Sequence, residues 1–205
     1  MKRIVRSISI ALLCIATSAP LFGTSFAMEN LDEKTKMEET LRAEGFEQID
    51  LSEIPEDVIP IVVNSEEELL EQLEIFEDEI SNLEKPVTID VEQYDEISPL
   101  ARASYSYKKF HATKKSGTAT HNVFGTLKIS KGNIISVHNL VQDWTGWHIG
   151  TNYSNHPSEK ITYSIINNKK TAKIRAPYKV TYYLILEGIG NMFSRYGVQT
   201  FYVNK

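Results

Sequence analysis

The chain has 205 residues, 41% of them hydrophobic and 24% charged, with a formal net charge of −5. Its only cysteine, Cys14, lies in an N-terminal apolar run, so everything after that run lacks disulfides, thiolate metal ligands and thiol nucleophiles. The remaining length of about 178 residues is enough for a core that holds without covalent staples.

Residues 1–27 read as a cleavable secretory signal. Lys2, Arg3 and Arg6 make a positive start, Ile8 to Ala16 an apolar run, and Ala19-Pro20 a break. Ser25-Phe26-Ala27 then supplies the small-residue pattern for a cut after Ala27. A membrane span needs roughly 20 consecutive apolar residues, and this run stops well short. Leu12 and Leu13, just before Cys14, do not suit a lipid-anchored cysteine. The expectation is an exported protein with no transmembrane segment in its mature chain, secreted or associated with a cell wall. The lack of disulfides fits a Gram-positive bacterium better than an animal secretory route.

The net charge conceals a sharp division. Residues 28–100 carry 24 Asp and Glu against four Lys and Arg, and residues 101–205 carry three against 15. Net charges of −20 and +12 in adjacent segments mark a boundary and suggest halves that attract one another. The sequence therefore divides into an acidic region, 28–86, a linker, 87–102, and a basic domain, 103–205.

In the acidic region, Asp32 to Ala43 reads as a helix ended by Gly45. Phe46–Leu51 and Ile59–Val63 read as short strands. Ser65 then caps a second helix and Glu68 closes its capping box. Leu69, Leu73, Phe76, Ile80 and Leu83 place one apolar stripe along an otherwise acidic helix, ended by Lys85-Pro86. The segments Glu44-Gly45-Phe46, Ile54 to Ile61 and Ser65 to Leu69 resemble N-terminal regions of small uncharacterised exported proteins of Gram-positive bacteria. That resemblance implies a strand and helix preceding a β domain, and it carries no activity or functional residue with it.

The basic region reads as all-β: an antiparallel sandwich or small barrel of about seven strands. Tyr105 and Tyr107 alternate with polar residues in Ser104–Phe110. Ala119, His121, Val123, Leu127 and Ile129 share one face, which makes His121 a core histidine whose ring should be hydrogen-bonded. Lys131-Gly132-Asn133 turns into Ile134–Val141, and Ile161–Ile165 alternates into a loop. Ala172 to Leu186 keeps a two-residue period over one long strand bent at Pro177. Gly188 and Gly190 break it, and Tyr196–Val203 supplies the last strand.

Two features point to binding. With Ala172 to Leu186 turned inward, Lys173, Arg175 and Lys179 project together, and Lys128, Lys131, Lys169 and Lys170 extend the basic character. Such a face suits an anionic cell-wall polymer, a membrane surface or the acidic region of the same chain, and nothing marks a specific nucleic acid. Asp143-Trp144-Thr145-Gly146-Trp147-His148 offers two tryptophans for stacking, with His148 as a polar contact. No histidine pair has metal-ligand spacing, no cofactor motif occurs, and Asp143, Glu159 and Glu187 are the only acids of the basic region. The expected function is non-enzymatic binding of an anionic extracellular partner, with no cofactor and no metal. One alternative is a precursor whose acidic region masks a cationic antimicrobial or toxin-like domain until it is cut near Arg102. Another is a hydrolase with a dispersed site that uses His138, His148 or Asp143.

Overall fold

The computed structural model describes residues 25–91, 105–146 and 148–205, without the side chains of residues 25–32 and 148. Residues 1–24 of the expected signal, most of the expected linker including Arg102, and Trp147 lie outside the described residues. The chain is mostly β, with antiparallel sheets and two helices among the described residues.

The acidic half opens with α1 (Ser25–Ala43), which spans the position of the expected cut after Ala27. β1 (Glu47–Ile49) follows, then a 3-10 turn over Leu51–Glu53, where the Asp50 carboxylate accepts the Ser52 N–H at 2.8 Å. The strand expected over Ile59–Val63 is divided in two. Pro60 has no N–H to donate and separates β2 (Val58–Ile59) from β3 (Ile61–Val63). α2 (Glu66–Glu84) starts where the Ser65 hydroxyl accepts the Glu68 N–H at 3.2 Å. Glu68 does turn back, but its carboxylate takes the Asn64 N–H at 2.8 Å, one residue before the cap. Leu69, Phe76, Ile80 and Leu83 of the apolar stripe are buried, and Leu73 packs at their margin. The stretch expected to open the linker instead forms β4 (Val87–Asp90), because Val87 and Ile89 alternate toward a core.

In the basic half, β5 (Tyr105–Ser116), β6 (Ala119–Ser130) and β7 (Asn133–Gly146) make an antiparallel meander. The short strands β8 (His148–Ile149), β9 (Thr151–Asn155) and β10 (Thr162–Ile166) lead to a long hairpin, β11 (Thr171–Leu186) and β12 (Ile189–Asn204). The expected break at Gly188–Gly190 is only a turn. Glu187 and Gly188 adopt φ of +49° and +79°, the left-handed pair of a tight hairpin, so the last strand starts at Ile189 rather than Tyr196.

That hairpin is the spine of the larger sheet. Along the free edge of β11 lie β10, then β9, both antiparallel, then β3 in parallel; β1 and β4 line the free edge of β12. The acidic half thus contributes three strands to the sheet of the basic half. Pro177 falls between Arg175, still paired with β10, and Tyr178, already paired with β9. On that edge, away from β12, neither β10 nor β9 pairs with the residue that lacks an N–H.

The inward face of β11 serves two cores. Ala172, Ile174 and Ala176 meet Phe110, Val123, Leu127 and Ile134 of the meander. Tyr178, Val180, Tyr182 and Leu184 meet Met37, Leu41, Leu69, Phe76 and Leu83 of the helices. Small side chains stand where a sheet must approach, and large ones where helices leave more depth to fill. Tyr182 carries the second core: its ring lies 4.1 Å from that of Phe76, and its hydroxyl donates to the Phe76 carbonyl at 3.3 Å. The Tyr178 ring crosses β12 over Gly197, where any Cβ would collide with the phenol. Gly197→Val should therefore lower stability by about 1–3 kcal/mol through forced repacking. Phe76→Ala should lower it by about 3–5 kcal/mol through a cavity. Urea unfolding checks both, with an unchanged slope marking a loss in the native state.

Candidate functional site

β11 presents its odd-numbered residues on the side away from both cores. Lys173 and Lys179 are half-buried and Arg175 is exposed. Register places Tyr202 and Ser164 on either side of Lys173, Thr200 and Thr162 beside Arg175, and Tyr196 and Ser154 beside Lys179. Pro177 occupies the one missing tooth of this row. Among the described residues, no carboxylate pairs with any of the three cations. The three cations share this face, and their register neighbours are hydroxyl-bearing side chains.

The other lysines do not prolong it. Lys128 projects from the outer face of the meander, its ammonium 4.2 Å from the Tyr105 ring centre and 6.0 Å from that of Tyr107. Lys131 is exposed at the hairpin turn, and Lys169 lies in a loop with left-handed φ at Asn167, Asn168 and Lys169. Lys170 donates to the Gly132 carbonyl at 2.8 Å. Its ammonium stands beside Lys205 and holds that lysine below the usual range, with Lys108 adding to the repulsion. Spacing could not have shown this cluster, since three strand ends from distant parts of the chain meet to make it.

Trp144, expected to offer its ring to a ligand, turns inward. It stacks on His121 at 4.1 Å and on Tyr153 at 4.7 Å, and meets Tyr178 edge-on at 6.0 Å. It wedges the meander against the helical core. Trp147 and the His148 side chain lie outside what the structure describes. His138 bonds the Ser136 hydroxyl at 2.8 Å, whereas Asp143 stands opposite Asn122, further along the strand, so the two do not converge. Asn122 is instead held by His111 at 2.9 Å. His156 accepts the Ser158 and Glu159 N–H groups and leans on Tyr196. Among the described residues, no three His, Asp or Glu side chains gather into a metal shell, and no helix is long and apolar enough to cross a membrane. A cleft of about 310 Å³ between α1 and β1 is lined by Glu38, Arg42, Glu47 and Asn191, remote from the cation row.

The seam between the two cores is unusually polar. His121 is fully buried, as its face requires, yet neither ring nitrogen has a hydrogen bond. The Gln142 and Gln199 side-chain carbonyls and the Trp144 indole N–H are also buried without partners. Each such group costs about 1–3 kcal/mol against a bonded one. Burial pulls the His121 imidazole down to about 4, against smaller opposing effects of Gln142 and Asp143. Nearby, Tyr153 donates to the Glu79 carboxylate at 3.0 Å and meets the Ser116 hydroxyl at 3.2 Å, tying α2 to the meander. Desolvation raises the Glu79 carboxyl above its ordinary value, with the Tyr153 bond opposing.

Comparison with protein-family models, curated proteins and solved structures finds no match. The class is accordingly defined by architecture and surface: a mostly β protein with a row of three cations on the outer face of its central strand, without a carboxylate partner among the described residues.

The two shifted groups act in opposite senses with acid. Between pH 6.5 and about 4 the unfolded chain protonates His121 and the folded chain does not, so this group costs stability as pH falls. Glu79, whose carboxyl is raised, favours the folded state as pH falls. The stability difference between wild type and His121→Phe isolates the first effect. It should shift by up to about 3 kcal/mol against the wild type between pH 7 and pH 4, as read from urea unfolding at each pH.

Proposed function

We propose that this chain is an exported, non-enzymatic protein whose cationic β surface binds an anionic extracellular or cell-surface partner. The observation that carries this reading is the row Lys173, Arg175 and Lys179, aligned on one strand face with no carboxylate partner among the described residues. Positive charge held in line without internal neutralisation favours a polyanion through the summed field. In this reading the meander and the central sheet act as a sandwich, with residues 1–27 removed on export from a Gram-positive cell. The acidic helices serve as a permanent part of the protein.

The masking alternative has less support. α2 packs on the inward face of β11, opposite the cation row, so it does not cover those charges. Loss of residues 28–102 would also remove β1, β3 and β4 from the sheet and uncover Tyr182 and Leu184. The hydrolase alternative, with a dispersed site using His138, His148 or Asp143, draws no support from His138 and Asp143, which stand apart along β7.

Retention of mature protein, residues 28–205, on isolated cell walls or anionic liposomes tests the proposal. Retention should fall as ionic strength rises through about 0.15 M, where the Debye length is about 8 Å. The Lys173→Gln/Arg175→Gln/Lys179→Gln protein should be retained poorly at every salt concentration. Retention indifferent to salt, or unchanged in the triple variant, overturns the reading.

A further inference from the structure

The spacing of the cation row bears on the chemistry of its ligand. Alternate residues of a strand are about 6.7 Å apart along its axis, so Lys173 and Arg175 are separated by one such interval and Lys179 by two more. The intervening position is Pro177, and the whole row spans about 20 Å. Pairing with β12 along the full length of β11 keeps these charges in a line and at a set interval. Resting on the anion-binding reading above, we propose that the row is a comb for a linear phosphodiester polymer whose phosphates are bridged by short polyol units, lying extended along β11.

Three observations select this ligand over other anions. The first is the interval: phosphates linked through a short polyol recur at a comparable distance, whereas phosphates sharing a bridging oxygen are much closer together. The second is the flanking chemistry. Ser164, Thr162 and Thr200, and Ser154 at the far end, stand in register beside the cations and can bond polyol hydroxyls and phosphate oxygens. The third concerns the aromatic rings. Tyr202, beside Lys173, is half-buried, and Tyr196, beside Lys179, is exposed but tilted at 57° against His156 with ring centres 4.8 Å apart, so the row lacks the successive open platforms on which nucleobases stack. The ligand needs no acceptor for planar bases and no pocket, only a straight run of charge.

The test separates spacing from charge. A fluorescent poly(glycerol phosphate) oligomer is titrated with mature wild-type protein and with two variants: Arg175→Gln, and the exchange Arg175→Thr/Thr200→Arg. The exchange keeps the net charge and the same sheet face, because residues 175 and 200 are cross-strand partners, but it moves one charge out of line. Both variants should bind about two- to fivefold more weakly than wild type, as expected for the loss of one exposed charge contact. Thermal melts within a few degrees of wild type establish that both are folded. Wild-type affinity in the exchange variant would overturn the comb while leaving general anion binding intact. Equal or tighter binding of inorganic polyphosphate or of a single-stranded oligodeoxynucleotide of matched charge would overturn the polyol-phosphate assignment. Absence of binding to all three polymers would overturn the anion-binding reading itself.

Discussion

The pairing of β11 with β12 is the constraint on which the other elements depend. Every residue from Thr171 to Leu186 has a partner across the hairpin, and the tight Glu187-Gly188 turn sets the register of all of them. Register in turn decides which side chains face inward, since a slip of one residue would carry the whole apolar set to the outer face. Among the described residues, five other strands attach to the edges of this ribbon, three from the acidic half and two from the basic half. One strand therefore has to satisfy two unlike neighbours, a sheet at its first half and helices at its second. The change from Ala172, Ile174 and Ala176 to Tyr178, Val180 and Tyr182 is how the sequence meets that demand.

Apolar contact, rather than charge, joins the acidic and basic halves. Among the described residues, the ion pairs that cross between them are Arg195 with Glu77 at 3.1 Å and Lys34 with Glu187 at 2.7 Å, both at the surface. In the second, the basic half supplies the acid. Exposed pairs of this kind contribute about 0–1 kcal/mol each. Burying a single Leu or Phe of the α2 stripe contributes about 1.5–3 kcal/mol, and four of its residues are buried. Among the described residues, these pairs do little to hold the two halves together.

The polar seam at His121, Gln142, Trp144 and Gln199 has the opposite character, being costly and closed. It lies where the meander, the central sheet and α2 converge, between two otherwise apolar cores. Its stacked rings, His121 on Trp144 and Trp144 on Tyr153, fill the junction with planar groups that pack well although their nitrogens go unbonded. The seam contributes to the fit between layers, and the burial of His121 makes that residue's own share of it weaken in acid.

Local pattern was enough to read much of this protein from its residues. The 3.6-residue stripe from Leu69 to Leu83 and the two-residue alternation from Ala172 to Leu186 each mark a buried face, because periodicity reports which side of an element meets the core. The outward projection of Lys173, Arg175 and Lys179 follows from the same alternation. What lay beyond the sequence was the identity of each face's partner. Val87 and Ile89 are too short a run to announce a strand, and β4 exists because β12 offers an edge to them. Trp144 sits in a Gly-containing stretch that reads as a loop whose ring could stack on a ligand or plug the sandwich, and the layers close around it. The Lys108, Lys170 and Lys205 cluster, like the unbonded state of His121, depends on segments far apart in the chain. Sequence determined the faces of the long elements, since alternation and stripe are local properties of the backbone. Tertiary structure alone decided which faces met, because edge pairing and layer packing are contacts between residues that no local pattern relates.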